Sequence, residues 1–186
     1  YGGGNEAVTD NPVVKISGGN ISKNIYGGGN QAIVTNSTNV SVIGGSIGGS
    51  VYGGGNGQTA IVNKNTLVNI SDKANITKHV FGGGNAAATG NFENNNSTST
   101  VNIAGGTIKG SVYGGANTSV VYGEAFVNIG ENVISDKTLT KSDIDIAGTI
   151  FGGGEANESG SEIYDYSFIS VTVGINIKID GKGYDN

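Results

Sequence analysis

A short glycine motif recurs six times along the chain and limits the fold more than any other feature. In its fullest form it reads Val51-Tyr52-Gly53-Gly54-Gly55-Asn56, that is, an apolar residue, an aromatic residue, three small residues and Asn. The aromatic positions lie 25 to 38 residues apart and are Tyr1, Tyr26, Tyr52, Phe81, Tyr113 and Phe151. A motif repeated at this spacing predicts a stack of similar units.

Short apolar groups separate the motif copies. In each unit an alternating group such as Val40-Ser41-Val42 precedes a turn, often Gly-Gly, and then one apolar residue such as Ile47. This period of two, with β-branched residues and turn residues at its borders, is typical of strands. No stretch combines a helical apolar stripe with capping residues. We therefore expect an all-β fold, a parallel β-solenoid (β-helix) of about six coils with three short strands per coil.

A β-sandwich and a β-propeller are the alternative all-β architectures. Propeller blades run nearer to about 40 residues and contain hairpins, whereas hairpin signals are few here. We expect glycine at the corners of the coil for two reasons: it tolerates positive φ, and it lets backbones approach closely. For Gly53 in particular, we expect a positive φ.

The ends of the chain carry separate predictions. Residues 1–186 are expected to form one β-solenoid domain, and because the chain starts within a motif we expect an excerpt of a longer repeat protein or a processed product. Residues 163–186 contain an alternating apolar run from Val171 to Ile179. This run is interpreted as a terminal coil or cap, with head-to-tail self-association through an open edge as the second option.

Composition and charge exclude several classes of function. The net charge of −5 argues against nucleic-acid binding, and the absence of Arg removes the common clamp for substrate carboxylates. The chain contains no apolar run of about 18 residues, so the sequence does not predict membrane insertion. The chain has no Cys and one His, His79, which removes disulfides, thiolate metal sites and His-rich zinc sites. We expect no metal and no cofactor, and the lack of both Cys and Met is compatible with an extracellular location.

Two columns of equivalent residues are interpreted as structural ladders. The aromatic column would either stack in the interior or form an exposed platform for sugar rings; alternation favours exposure, and Phe at two positions favours burial. Burial is the preferred interpretation. The second column is expected to form amide-to-amide ladders, with Asn tolerating left-handed backbone, and comprises Asn5, Asn30, Asn56, Asn85 and Asn117. Calcium binding is the weaker alternative, since the nonapeptide pattern for that ion is missing.

Inserts after the motif mark a candidate binding face. One insert spans Ala86 to Thr100 and a second follows Glu155, whereas residues 130–143 lengthen the fifth unit elsewhere. Inserts gathered on one side of a repeat stack often bind ligands. The candidate ligand-binding residues are Glu155, Glu158, Glu162, Tyr164, Asp165 and Tyr166.

No residue set predicts a reaction, and we expect no catalytic residues. Asp143 and Asp145 share one face of a strand and are interpreted as solvated. His79 stands where other units have Asn24, Ser50 or Ser111 and is interpreted as a surface substitution. No nucleophile lies on the strand-to-helix turn that serine hydrolases use.

The stretch Val101-Asn-Ile-Ala-Gly-Gly-Thr-Ile-Lys-Gly-Ser-Val-Tyr-Gly-Gly-Ala-Asn117 resembles the glycine-rich repeats of large adhesin-like surface proteins of gut and anaerobic bacteria. The resemblance covers about residues 1–155 and implies an extracellular, cell-surface β-solenoid without a catalytic motif. The sixth copy departs from it by ending in Glu155.

The expected function is therefore a non-enzymatic structural or adhesive segment that displays loops from a stiff solenoid, with a host or bacterial surface glycan or protein as partner. The alternative is a carbohydrate-binding or carbohydrate-cleaving β-helix domain of a secreted protein or phage fibre.

Overall fold

The chain forms an all-β parallel β-solenoid of about four turns with two parallel sheets. This architecture comes from a computed structural model that describes residues 1–93, 95–130, 143–155, 168–173, 177–179 and 182–184. The strands are β1 (Val13–Ile21), β2 (Ile25–Tyr26), β3 (Thr38–Ile47), β4 (Val51–Tyr52), β5 (Thr66–Ile76), β6 (Val80–Phe81), β7 (Ser97–Ile103), β8 (Gly106–Ile108), β9 (Val112–Tyr113), β10 (Gly123–Ile129), β11 (Ile144–Ile146), β12 (Ile150–Phe151), β13 (Phe168–Val173), β14 (Ile177–Ile179) and β15 (Lys182–Tyr184).

Each strand pairs in parallel with its equivalent in the next turn. The smaller sheet has five strands in the order β12-β9-β6-β4-β2. The larger sheet runs from β1 through β3 to β5, and beyond β5 it divides into one branch of β7, β10 and β13 and another of β8, β11 and β14. β15 pairs antiparallel with β14. Between the strands, single bridges join the last positions of neighbouring motif copies, from Asn5 to Glu155, and a second row of bridges joins Thr9, Val34, Val62, Thr89 and Val121.

The predicted class of fold is confirmed, and its finer details differ. Four turns lie between the motif copies at Tyr1 and Tyr113. The chain between Tyr113 and Phe151 includes residues 131–142, which lie outside the described residues. In the first three turns, two of the predicted strands form one long strand, as in β3. The reason is that Gly44-Gly45 forms a bulge within the ladder, marked by a register shift after Val42 and by a φ of 90° at Gly45. Separate strands occur at β7 and β8.

Rows of equivalent aliphatic residues fill the interior of the coil. Val40, Val68, Val101 and Val127 are in register with one another and fully buried. Similar rows contain Ile70 and Ile76, and all belong to one aliphatic cluster. Burying one such side chain contributes about 1.5–3 kcal/mol, so each turn depends on the turns above and below it.

The motif glycines are required for close approach of backbones. A Cβ atom on Gly54 would lie 2.7 Å from the nitrogen of Gly84 in the next turn, and one on Gly53 would collide with the carbonyl oxygen of Gly82. The expectation of positive φ at Gly53 is wrong. Left-handed backbone occurs instead at the residue after the motif Asn, as at Gln31 (φ 54°) and Gly57 (φ 97°).

Candidate functional site

The six motif aromatics form one continuous stack. Neighbouring ring centroids are 4.6–4.9 Å apart with interplanar angles of 3–10°, from Tyr1 to Phe151. The four interior rings are 7% exposed or less, whereas Tyr1 is 58% and Phe151 42% exposed. The difference shows what the stack does: a ring with neighbours on both faces is buried, and a ring at an end of the stack is not.

The motif rings point to the face of the strand that alternation predicts, and they are also buried. Val51 belongs to the aliphatic cluster, whereas Tyr52 points to the opposite face of the strand and belongs to a separate aromatic cluster. The ring is nevertheless buried, because Tyr26 and Phe81 cover its two faces. A sugar platform needs a free ring face, and the interior rungs offer none.

Beside the rings, the motif asparagines form a directional amide ladder. Each Nδ2 donates to the Oδ1 of the preceding turn, and the four distances are 2.7, 3.0, 2.8 and 2.7 Å from Asn30→Asn5 to Asn117→Asn85. An amide can donate and accept at once, so each interior rung satisfies both neighbours. A second, shorter ladder of the same kind joins Asn128 to Asn102 and Asn102 to Asn69.

Glu155 stands at the sixth rung of the amide ladder. Its backbone continues the ladder of bridges from Asn117, but its carboxylate Oε1 accepts a hydrogen bond from the hydroxyl of Tyr113 at 3.0 Å. Burial raises the pKa of the Tyr113 phenol, and the neighbouring Glu155 carboxylate raises it further. Among the predicted ligand-binding residues only Glu155 is described; the others, Glu158, Glu162, Tyr164, Asp165 and Tyr166, lie outside the described residues.

A third column lies two residues before each aromatic ring. Its side chains accept the backbone N–H of the equivalent residue one turn later: Asn24 Oδ1 from Ser50, Ser50 Oγ from His79, and His79 Nδ1 from Ser111. The His79 ring also lies 6.0 Å from the rings of both Phe81 and Tyr113. His79 therefore has a structural role that its interpretation as a surface substitution missed.

One surface groove interrupts the regular stack. In the third turn the corner is one residue longer, since Ile76 follows Ile70 by six positions whereas Ile47 follows Val42 by five. Gly106 in the next turn lacks a side chain, and a Cβ there would lie 2.6 Å from the Ala74 carbonyl oxygen. The resulting groove has a volume of about 430 Å³, and its polar lining consists of Asp72, Lys73, Asn75, Thr107, Lys109 and Asp143.

Asn75 belongs to the lining of the groove, but its side-chain oxygen is enclosed by the protein. Asn75 Oδ1 is buried and has no hydrogen-bond partner within the described part of the chain. Carboxyl groups at Asp72 and Asp143 and ammonium groups at Lys73 and Lys109 line the same space. Sequence reasoning missed this site, although one signal was available: Asp72-Lys73 replaces the Gly-Gly corner of other units.

The described residues bring together few groups that could perform chemistry. Within the described ranges, no three His, Cys, Asp or Glu residues lie close enough to hold a metal ion. Asp145 is half-buried on β11, and Asp143 just before it is exposed. None of the described residues belongs to a helix that is long and apolar enough to cross a membrane.

Comparison of the chain with protein-family models, with curated proteins and with solved structures finds no match. The resemblance of the repeats to adhesin-like surface proteins therefore stays a prediction.

Proposed function

We propose that this chain is a non-enzymatic structural segment of an extracellular, cell-surface protein that holds adhesive loops on a stiff β-solenoid. The observation that supports the proposal is the set of side-chain ladders. Aromatic, amide and aliphatic columns all run in register from turn to turn. In a stack of this kind each unit is stabilised by its neighbours, and aromatic pairs add about 0.5–1.5 kcal/mol each beyond their buried area.

The insert between Ala86 and Thr100 is the loop that we propose this segment displays. Phe92 on this insert is 73% exposed, and its ring meets Tyr122 edge to face at a centroid distance of 6.1 Å. Loops held by a rigid scaffold commonly carry binding residues. A host or bacterial surface glycan or protein is the partner that we propose for this face.

The finer architecture belongs to the same proposal. We infer about six coils, with residues 163–186 as the terminal coil and cap. β13 and β14 pair in parallel with β10 and β11, as the strands of a further turn would. β15 then lies antiparallel on β14, and an antiparallel strand at that edge disfavours addition of another parallel turn there.

Amide hydrogen exchange and a polysaccharide digest test the scaffold proposal together. We expect slow exchange throughout the interior rungs, since opening one turn exposes its neighbours, and no release of reducing ends from a panel of surface polysaccharides. Interior amides that exchange as fast as those of an unstructured peptide would contradict a stiff stack. Sustained release of reducing ends, lost on removal of candidate carboxylates, would contradict the non-enzymatic assignment.

The groove favours a second candidate function, carbohydrate binding. The Asp143 carboxylate and the Thr107 hydroxyl can accept hydrogen bonds from sugar hydroxyls, while Lys73 and Lys109 can attract an acidic substituent. The net charge of −5 disfavours a long polyanion. The fitting ligand is therefore a largely neutral glycan that carries an acidic sugar.

Chemical-shift mapping with a glucuronate-containing oligosaccharide distinguishes this candidate from the scaffold alone. We expect shifts at Asn75 and Thr107 that Lys109→Gln weakens. Lys23→Gln, at an exposed lysine away from the groove, is the matched control and should leave the shifts unchanged. If no resonance of the groove moves, or if both variants act alike, the groove is not the binding site.

A further inference from the structure

The third copy of the motif ends in the only Asn-Gly dipeptide of the chain, Asn56-Gly57. Gly57 has a φ of 97°, but its counterparts Gln31, Ala86 and Thr118 adopt left-handed backbone with side chains. The atoms nearest to a Cβ on Gly57 would belong to the side chain of Gln31, whose Oε1 accepts a hydrogen bond from the Thr59 hydroxyl at 3.0 Å. Three other copies of the motif therefore place a side chain after the motif Asn at a φ of 49–54°, and the third copy has glycine there at a φ of 97°.

In the folded stack both ends of the Asn56 amide are hydrogen-bonded to residues of other turns. Nδ2 donates to Asn30 Oδ1 at 3.0 Å and to the Tyr1 hydroxyl at 3.3 Å, and Oδ1 accepts from Asn85 Nδ2 at 2.8 Å. The backbone N–H of Gly57 donates to the carbonyl oxygen of Asn85 at 2.9 Å. Both partners of a cyclisation reaction, the side-chain carbonyl carbon and the following backbone nitrogen, are thus held by the neighbouring turns.

We propose that Asn56 is a deamidation site that the amide ladder keeps unreactive until the stack opens locally. In the reaction the deprotonated Gly57 nitrogen attacks Asn56 Cγ, a C–N bond forms, and the side-chain nitrogen takes up a proton and leaves as ammonia. Water then opens the succinimide ring at either carbonyl. The net change is Asn plus water to Asp or isoaspartate plus ammonia, and a glycine offers the least steric hindrance to the attacking nitrogen.

Deamidation would interrupt the ladder at its central rung. A carboxylate at position 56 accepts hydrogen bonds but cannot donate one to Asn30 Oδ1, so two acceptor oxygens would face each other. Isoaspartate also adds a backbone atom and shifts the register of the turn. Because the product cannot revert, each molecule that opens and reacts loses its third rung permanently.

Peptide mapping by mass spectrometry tests the proposal on the full chain. Folded protein and protein in denaturant are incubated at mildly alkaline pH, and deamidation is followed in the tryptic peptide between Lys23 and Lys64. We expect the folded protein to react at Asn56 at least about tenfold more slowly, since the rate scales with the open fraction. Equal rates in the two states would overturn the proposal.

A variant separates the ladder from general protection by folding. Asn85→Ala removes the donor to Asn56 Oδ1 and should raise the rate at Asn56 in protein that circular dichroism shows to be folded. Asn128→Ala, which removes a donor in the second amide ladder, is the matched control and should not change the rate. If Asn85→Ala does not fold, stepwise denaturant below the unfolding transition replaces it; a rate at Asn56 that stays flat there would equally refute local opening.

Discussion

The hydroxyl of Tyr113 donates to Glu155 Oε1 at 3.0 Å, at the rung where an asparagine would otherwise donate to Asn117. A carboxylate cannot continue a ladder in which each residue both donates and accepts. The amide ladder therefore stops at Glu155, while the backbone bridges extend one rung further.

Glu155→Asn should extend the ladder by one hydrogen bond. We expect the free energy of unfolding to rise by about 0.5–1.5 kcal/mol, the net value of a typical intramolecular hydrogen bond. Urea unfolding measures the change. Because the substitution also removes the acceptor of the Tyr113 hydroxyl, the comparison is made in a Tyr113→Phe background. A loss of stability in that background would show that no amide donor fits beside Asn117.

Truncating the aromatic stack should cost most in its interior. Phe81→Ala opens a cavity between Tyr52 and Tyr113 and should destabilise the protein by about 3–5 kcal/mol. Phe151→Ala removes a ring that is stacked on Tyr113 and 42% exposed, and should cost clearly less. Thermal unfolding compares the two variants. Equal losses of stability in the two variants would mean that a second stacking neighbour does not stabilise the ring further.

Two glycines in and beside the third motif copy should respond differently to alanine. Gly54→Ala places a Cβ 2.7 Å from the Gly84 nitrogen, so paired backbones must separate and the melting temperature should fall sharply. Gly57→Ala should lower the melting temperature less, because its Cβ would lie nearest to side-chain atoms of Gln31 rather than to backbone, and Ala86 occupies the equivalent position at a smaller φ of 49°. A similar fall for both variants would contradict the assignment of close approach to the motif glycine.

The repeat made the stack predictable, but not the environment of each residue. Alternation correctly indicates that Tyr52 points away from Val51. Its burial depends on Tyr26 and Phe81, which belong to other turns, and no local pattern reports on them. The groove was unpredictable for a similar reason. It needs the longer corner at Asp72 to meet Asp143 across Gly106, and this proximity exists only once the turns are stacked.

Alkaline pH should destabilise the stack through its buried phenols. Burial raises the pKa of Tyr26, Tyr52 and Tyr113 above the usual value. The unfolded chain then loses protons at a lower pH than the folded chain, so the stability is complete below about pH 10, the unfolded value, and decreases as the pH rises through the folded values. Urea midpoints across this range measure the effect. Tyr52→Phe should make the decrease shallower; an identical slope would exclude Tyr52 as a contributor.

Substitutions of His79 test whether the column two residues before the rings stabilises the stack by accepting hydrogen bonds. Its Nδ1 accepts the Ser111 N–H at 3.0 Å, a role that Ser50 fills one turn earlier with its hydroxyl. His79→Ser replaces the acceptor with one that the column already uses, whereas His79→Ala leaves the Ser111 N–H without a partner. We expect His79→Ala to be less stable than His79→Ser by about 0.5–1.5 kcal/mol, the net value of a typical intramolecular hydrogen bond, because Ser111 is half-buried. Urea unfolding of the two variants gives the difference directly, with the loss of ring contacts common to both. Equal stabilities would show that water satisfies the Ser111 N–H and that the column is not a hydrogen-bonded ladder.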